Sequence, residues 1–468
     1  MEHPLGSGER PLRVAVVGSG PSGFYAAAAL FKSDLEITID MFDRLPTPFG
    51  LVRGGVAPDH QKIKNVIRVY DKTASDPRFR FFGNVMIGRD LSVAELTGHY
   101  DQVVFAVGNE SDRQLGIPGE DLEGVYSATE FVGWYNGHPD FQDRHFPLDR
   151  ARRVAVVGNG NVAMDVTRIL VQEPDELQPT DITDEAVAEL RRSAVEEVYL
   201  LGRRGPAQAA FSPKEIKEIG DLACCDLIVE PAAMVLDELT RAWMEGEPPS
   251  TKKNVDYLTE VSAKDCAGSR RRVHCRFLVS PVELLGEDGR LRAVRIERNE
   301  LVAGKGGEPR PRGKGEIEEL EVELLFKAVG YRGTPLDGLP FDERTGIFPN
   351  VDGRIIDPTS GAPVPRQYVV GWAKRGPSGL IGTNAADSQA TATSMLADAA
   401  GSKAAANREK EPGAIVELLA ERGVDFVSYQ DWQRLDQDEI GRGEATGKVR
   451  LKYTAVDSMM EAVRSLRE

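Results

Sequence analysis

The sequence predicts an α/β protein built from two similar βαβ units, one inserted into the other. The stretches "RVAVVGSGPSGFYA" at 13–26 and "RRVAVVGNGNVAMDV" at 152–166 each read as a short valine-rich strand, a glycine-rich turn and the start of a helix. Two apolar runs ending in glycine, "QVVFAVGN" at 102–109 and "LLFKAVGY" at 324–331, suit the closing strands of the two units. Their order places 10–112 in a first domain, 113–329 in a complete inserted domain and 330–468 in the remainder of the first.

In the first unit Val14, Val16 and Val17 form the entry strand, the turn runs from Gly18 to Gly23, and "FYAAAALFK" continues as a helix. A second strand follows in "EITIDMFD", where Ile37, Ile39 and Met41 alternate with polar residues. The second unit repeats the plan with Val154, Val156 and Val157, a turn from Gly158 to Ala163, and a helix through Ile169 and Leu170. Its second strand, "EEVYLLG", arrives late because 173–194 reads as an inserted polar helical segment. Residues 303–317, rich in Gly, Pro and charge, read as a solvated hairpin or connection.

The two turns suit different ligands. In the first, G-x-G-x-x-G is complete: Gly18 permits the tight turn, Gly20 lets the backbone approach a pyrophosphate, and Gly23 lets helix and strand pack closely. Asp43 stands at the end of the second strand, 25 residues after Gly18; a spacing of about 20 is where an acidic residue receives a ribose hydroxyl. This fits an adenosine dinucleotide with a free ribose, and the loop itself does not separate FAD from NAD. The second turn runs Asn159, Gly160, Asn161, Val162, with Ala163 in place of the third glycine. Where the first unit has Asp43, the second has Gly202-Arg203-Arg204-Gly205. Two guanidiniums bind a 2′-phosphate through charge-assisted hydrogen bonds of about 1.5–3 kcal/mol each, whereas a carboxylate would repel it. The second site is therefore expected to take NADP(H), and the pair of sites suggests a flavoprotein with FAD in the first.

Composition narrows the class. A chain of 468 residues accommodates two or three domains, and a net charge of −16 argues against a general nucleic-acid binder. The N-terminal "MEHPLGSGERPLR" has no apolar core of a signal peptide, and no apolar run reaches the ~18 residues of a membrane span, so a cytoplasmic protein without a membrane span is expected. The four cysteines lack Cys-x-x-Cys spacing, which excludes a thioredoxin-like redox pair and an iron–sulfur ligand set; buried free thiols are expected.

The run "PFGLVRGGVAPDHQKIKNV" at 48–66 resembles the corresponding segment of the adrenodoxin reductase-type ferredoxin–NADP reductases. The resemblance continues in "FVGWYNGHPD" (131–140), "VGNGNVAMDVTRIL" (157–170), "LGRRGPAQAAFSPKE" (201–215), "GWAKRGPSGLIGTN" (371–384) and "DWQRLDQDEIGRGEATGK" (431–448), covering nearly the whole chain in order. It implies two nested Rossmann-like dinucleotide-binding domains, the NADP domain inserted into the FAD domain. It further implies hydride transfer from NADPH to FAD, then single-electron transfer to a ferredoxin-type iron–sulfur protein, in a monomer. By matching motif, FAD contacts fall around Ser22, Asp43, Leu51, Val85, Trp372 and Gly379-Leu380-Ile381, and NADP contacts on Asn159 to Ala163, Arg203, Arg204, Glu215 and again Gly379. Two departures are visible: family members often have Glu at Asp43 and Ala at Ser22. His60 in "APDH" is implied to lie near the flavin and to help move a proton, which makes it the catalytic candidate.

The family geometry also implies a helix from about Thr383, capped by Thr383 or Asn384, with its N-terminus aimed at the flavin. An acidic ferredoxin requires a locally basic docking face. Arg191-Arg192 and "SRRRVHC" at 269–275 are the candidates, the latter also readable as an ordinary solvated strand edge.

Overall fold

The computed structural model describes residues 4–109, 111–401 and 412–468. Chain contacts divide it into two compact units: Met1–Val56, His60–Ser111 and Gly330–Glu468 form the first, Ala57–Asp59 and Asp112–Val329 the second.

The first unit is built on a seven-stranded sheet in the order Asn350–Val351, Arg354–Ile356, Pro363–Val369, Gln102–Phe105, Leu12–Val17, Ile37–Phe42, Phe79–Phe82. The last five are parallel, with Leu12 opposite Ile37 and Val17 opposite Phe42, while the first two join through antiparallel pairings. Parallel strands covered on both faces are apolar throughout, and every residue of Leu12–Val17 is buried. The pleat sends successive side chains to opposite faces. Accordingly Leu12, Val14 and Val16 join a core with Phe24, Met395 and Trp432, whereas Ala15 and Val17 join another with Phe42, Val85 and Ile415. Each fully buried valine or leucine contributes about 1.5–3 kcal/mol.

The second unit has a six-stranded parallel sheet in the order Val125–Ser127, Leu324–Lys327, Arg153–Val157, Glu197–Gly202, Arg271–Phe277, Cys225–Val229. Val154 and Val156 face helices carrying Phe131, Trp134 and Ile169; Ala155 and Val157 face a three-stranded antiparallel sheet through Val279, Val294 and Ile296. In both units the entry strand lies between neighbours that follow it in opposite directions along the sheet, and such switch points open a crevice at the strands' carboxyl ends. Gly18 and Gly158 stand there.

The segment 173–194 holds helices Pro174–Leu177 and Asp184–Arg192. Residues 303–317 are a hairpin: strands Arg290–Ala303 and Pro309–Glu321 pair directly, with Arg312 bonded to Glu300 across the ladder at 2.6 Å. The expectation of buried thiols is corrected in part. All four cysteines are free, but only Cys225 and Cys275 are buried; Cys224 is half-buried, and Cys266, in the polar segment before the Arg271–Phe277 strand, is exposed.

Candidate dinucleotide sites

The first loop is shaped by contacts that only glycine tolerates. Gly18 has φ 103°, and a Cβ there would stand 2.4 Å from the Ala106 carbonyl oxygen; one on Gly23 would stand 2.2 Å from the Gly18 oxygen. A Cβ on Gly20 would meet nothing within 4 Å, so the middle glycine faces open space, as close backbone approach to a ligand requires. The helix Pro21–Leu30 has Gly20 as N-cap, no side-chain cap and no acidic residue in its first turn. Other helices here end differently: Ser92 with Glu95 and Ser127 with Glu130 form complete capping boxes. An uncapped N-terminus with free amides suits an anion.

Asp43, just beyond the strand Ile37–Phe42, accepts the Ser19 amide at 2.9 Å and the Ser19 hydroxyl on Oδ2, and the Leu45 amide at 2.9 Å on Oδ1. Its carbonyl receives the amide of buried Val85 at 2.8 Å. Opposite, the Phe49 amide donates to Ser19 O at 3.0 Å, and Gly50 approaches Gly20 so closely that a Cβ would lie 3.1 Å from the Gly20 Cα.

The returning chain completes this unit's site. Gly371, at φ 72°, abuts Ser22, whose carbonyl accepts the Ser388 hydroxyl at 3.0 Å. Trp372 packs on Tyr331 with ring centroids 5.2 Å apart, yet its buried indole Nε1 has no hydrogen-bond partner. A buried donor without an acceptor costs about 1–3 kcal/mol, so it fits a cofactor that brings one. Leu51 and Leu380 are 39 % and 63 % exposed, Ile381 is half-buried against the core, and Gly379 turns at φ 81°. The helix Thr383–Gly401 starts where the matching motif implied, but its capping differs. Thr383 Oγ1 accepts from Leu380 N at 3.1 Å and Asn384 Oδ1 from Arg375 at 2.6 Å, while the carbonyls of Leu380, Ile381 and Gly382 take the first amides.

The second loop repeats the first. Gly158 has φ 134°, a Cβ there would sit 2.3 Å from the Ala328 oxygen, and Gly160 again faces open space. The helix Asn161–Val171 has Gly160 as N-cap, without a side-chain cap or a first-turn acid. Asn159 O receives the Ala210 amide at 3.0 Å and Asn161 Oδ1 that of Ser212 at 2.9 Å, which pins the loop from behind; Val162 is half-buried and Ala163 fully buried. At the end of the strand Glu197–Gly202, Arg203 is exposed and Arg204 half-buried. Among the described residues neither guanidinium has a carboxylate partner. Burial and the adjacent Arg203 charge pull Arg204 below the ordinary arginine range. Two uncompensated like charges at a strand end are what a bound anion would relieve.

Glu215 is buried and bonds Arg168 at 3.3 Å; Arg168 also grips Asp59 at 2.7 and 3.0 Å and Asp165 at 2.7 Å. Burial opposes the Arg168 charge, but these carboxylates outweigh it and raise its pKa. Sequence reasoning missed Arg168; its i,i+3 spacing from Asp165 on an otherwise apolar helix face was the available signal. His60 is buried at the start of the helix Gln61–Lys64, where its carbonyl accepts the Ile63 amide at 2.9 Å.

Both basic docking candidates are partly neutralised by acidic or backbone partners. Arg191 pairs with Asp175 at 2.8 Å and Arg192 with Glu189. The strand Arg271–Phe277 is interior to the sheet and not an edge. Arg271 is buried against Val171 O and Gln172 O, and Arg272 pairs with Glu197.

Two glycine cradles, one ending in a carboxylate and the other in free arginines, define an oxidoreductase that uses two dinucleotides. Comparisons with known proteins narrow this further. Residues 12–218 match the family described as pyridine nucleotide-disulphide oxidoreductase. The chain is 44 % identical over 460 residues to the NADPH-ferredoxin reductase FprA of Mycobacterium tuberculosis, covering 96 % of this chain and 99 % of that one. It is 40 % identical over 470 residues to the human mitochondrial NADPH:adrenodoxin oxidoreductase, covering 98 % and 93 %. The solved structure of M. tuberculosis FprA in complex with NADPH superposes with a TM-score of 0.92 at 43 % identity, over 97 % of this chain and all of that one. The chain belongs to the adrenodoxin reductase-type ferredoxin–NADP reductases, FAD-dependent oxidoreductases with two Rossmann-type domains. No helix among the described residues is long and apolar enough to cross a membrane.

Proposed function

We propose that Gly18, Gly20, Ser22, Gly23, Asp43, Leu51, Val85, Trp372 and Gly379–Ile381 hold FAD, and that Asn159–Ala163, Arg203, Arg204 and Glu215 hold NADP(H). The observation that carries this is the contrast at equivalent strand ends: Asp43 tied into its own loop, Arg203 and Arg204 left without carboxylates. The relative solved with NADPH supports the second assignment. When bound, the cofactors supply a hydride from NADPH to FAD and single electrons from reduced FAD to a ferredoxin-type iron–sulfur protein.

The chain's own residues position and discriminate. Gly20 and Gly160 admit the pyrophosphates to the helix N-termini, Asp43 orders the first loop and faces a free ribose, and the two arginines select a 2′-phosphate. Trp372 Nε1, buried without a partner, would donate to an acceptor on the bound flavin. An imidazole nitrogen of His60 exchanges the proton that accompanies the electrons. Arg168 acts through Glu215, whose carboxylate it fixes. The working form in this reading is a cytoplasmic monomer, as the family resemblance implies. Anaerobic mixing of the FAD-loaded protein with NADPH tests the reading: flavin absorbance bleaches within the dead time or shortly after, and failure to bleach would refute it.

A further inference from the structure

The three-stranded sheet of the second unit contributes no residue to either proposed cofactor site, yet it backs the arginine pair. The strand Glu197–Gly202 ends its ladder at Gly202, opposite Phe277, so the carbonyls of Arg203 and Arg204 lie beyond the parallel sheet. Both are nonetheless held. Asn299 Nδ2 donates to Arg203 O at 2.9 Å, and the Leu278 amide donates to Arg204 O at 3.1 Å. The Asn299 amide in turn donates to Leu278 O at 2.7 Å, and Asn299 Nδ2 also donates to Ser280 Oγ at 2.8 Å. These bonds close a ring through Arg203, Arg204, Leu278 and Asn299.

Two local irregularities produce the ring. Leu278 has φ 56°, a left-handed conformation that an L side chain disfavours and that persists only where its surroundings fix it. Along the strand Arg290–Ala303, Val294 and Ile296 are buried, so strict alternation would turn Arg298 inward and Asn299 outward. The reverse is found: Arg298 is exposed and Asn299 buried. The register slips at this point, with Glu297 opposite Ile317 and Asn299 opposite Gly313, which leaves Lys314, Gly315 and Glu316 facing Arg298. A bulge of this kind re-aims a side chain. Two residues on, the same strand lies under the turn: a Cβ on Gly205 would stand 3.6 Å from Leu301 Cδ1.

The contrast with the first unit shows what the ring is for. Asp43 holds its own loop by accepting the Ser19 and Leu45 amides. Arg203 and Arg204 carry only donors and cannot accept a backbone amide in that way. Among the described residues no carboxylate holds them either. Their peptide planes must be fixed by other residues if both guanidiniums are to be presented in one geometry, and a preorganised fork loses less freedom on binding. We propose that Asn299 is a positioning residue for 2′-phosphate recognition. By holding the Arg203 carbonyl, with Leu278 on that of Arg204, it presents both guanidiniums to the phosphate and sets the preference for NADP(H) over NAD(H). The inference rests on the assignment of the second site above. Asn299 acts through the arginines and not by contact with the nucleotide.

The test uses the full-length, FAD-loaded protein and Asn299→Leu, which keeps the volume and removes the donor. Calorimetry compares adenosine 2′,5′-bisphosphate with 5′-AMP, which differ only in the 2′-phosphate. The variant's Kd for the bisphosphate is expected to rise about tenfold or more, with that for 5′-AMP within about twofold of the parent's. Steady-state kinetics with menadione as acceptor should show the same split: KM rises for NADPH and not for NADH, with kcat near the parent's. A merely structural role would leave that ratio unchanged. A parental Kd for the bisphosphate, or equal losses with both nucleotides, would overturn the proposal. If leucine impairs folding, Ser280→Ala removes the second acceptor of the same amide and is expected to raise the bisphosphate Kd about threefold; no rise there counts against the proposal. A parent that binds the two nucleotides equally would refute the 2′-phosphate reading itself, and the proposal with it. A preference present in the parent and intact in the variant overturns the proposal alone.

Discussion

Asp43 and Ser19 are joined by a hydrogen bond from the Ser19 amide to Asp43 Oδ2, 2.9 Å long, so the carboxylate proposed to face the ribose also fixes the first glycine loop. Asp43→Ala removes the acceptor for two backbone amides and leaves them unpaired. The expected cost is about 2–4 kcal/mol of stability, together with loss of FAD during purification. Thermal unfolding and flavin-to-protein absorbance measure the two effects, and full flavin content in the variant would contradict the assignment.

The glycines of the second loop divide by what surrounds them. Gly158→Ala forces a Cβ to 2.3 Å from Ala328 O at φ 134°. It should cost about 2 kcal/mol or more, lowering Tm by roughly 4–8 °C. Gly160→Ala meets nothing in the protein and should leave Tm within a degree or so, but it intrudes where the proposed site admits the pyrophosphate and should raise KM for NADPH about tenfold. Equal effects of the two variants on Tm would contradict this division.

Glu439 is fully buried and accepts both Arg53 guanidinium nitrogens at 2.6 and 2.8 Å, Arg450 at 3.1 Å and the Tyr453 amide at 2.9 Å. Burial opposes its charge, but Arg53 and Arg450 prevail and hold the carboxyl below the usual range. A depressed folded-state pKa stabilises fully above the unfolded value of about 4.3, and the contribution fades as pH falls through the folded value. Glu439→Gln should therefore cost about 3–5 kcal/mol at neutral pH, with the gap to the parent closing in acid. Chemical denaturation across that range follows the gap; a pH-independent difference would rule the linkage out.

Thiol labelling separates the cysteines. Burial pushes Cys225 and Cys275 up to about 12 and raises Cys224 as well, whereas Cys266 is exposed. One equivalent should react quickly at mild alkaline pH, at Cys266, with the rest waiting on unfolding. Mass spectrometry of the labelled peptides checks the site.

Much of this architecture was legible because local pattern and tertiary role coincide. Val14 to Val17 and Val154 to Val157 are apolar in succession because both faces of their sheets are covered, and the glycine turns stand where each chain crosses a switch point. The strand Pro309–Glu321 was harder to see. Its glycines and prolines read as a hairpin or a connection, and cross-strand pairs such as Arg312–Glu300 support the hairpin. Charge runs misled for a related reason. Arg271 and Arg272 look like a basic patch in sequence, but their partners Glu173 and Glu197 come from distant strands and loops. The Arg168 cluster draws on Asp59 and Glu215, 109 and 47 residues away, a proximity no local spacing encodes.

The central claim is that Arg203 and Arg204 make the second site a 2′-phosphate reader feeding a flavin in the first. The most direct measurement is anaerobic stopped-flow bleaching of the flavin by NADPH and by NADH, in the parent and in Arg203→Ala/Arg204→Ala. The account predicts fast bleaching of the parent by NADPH, and in the variant a rise in the half-saturating NADPH concentration of about a hundredfold or more with little change for NADH. Equal losses with both nucleotides, or no bleaching of the parent by NADPH, would contradict it.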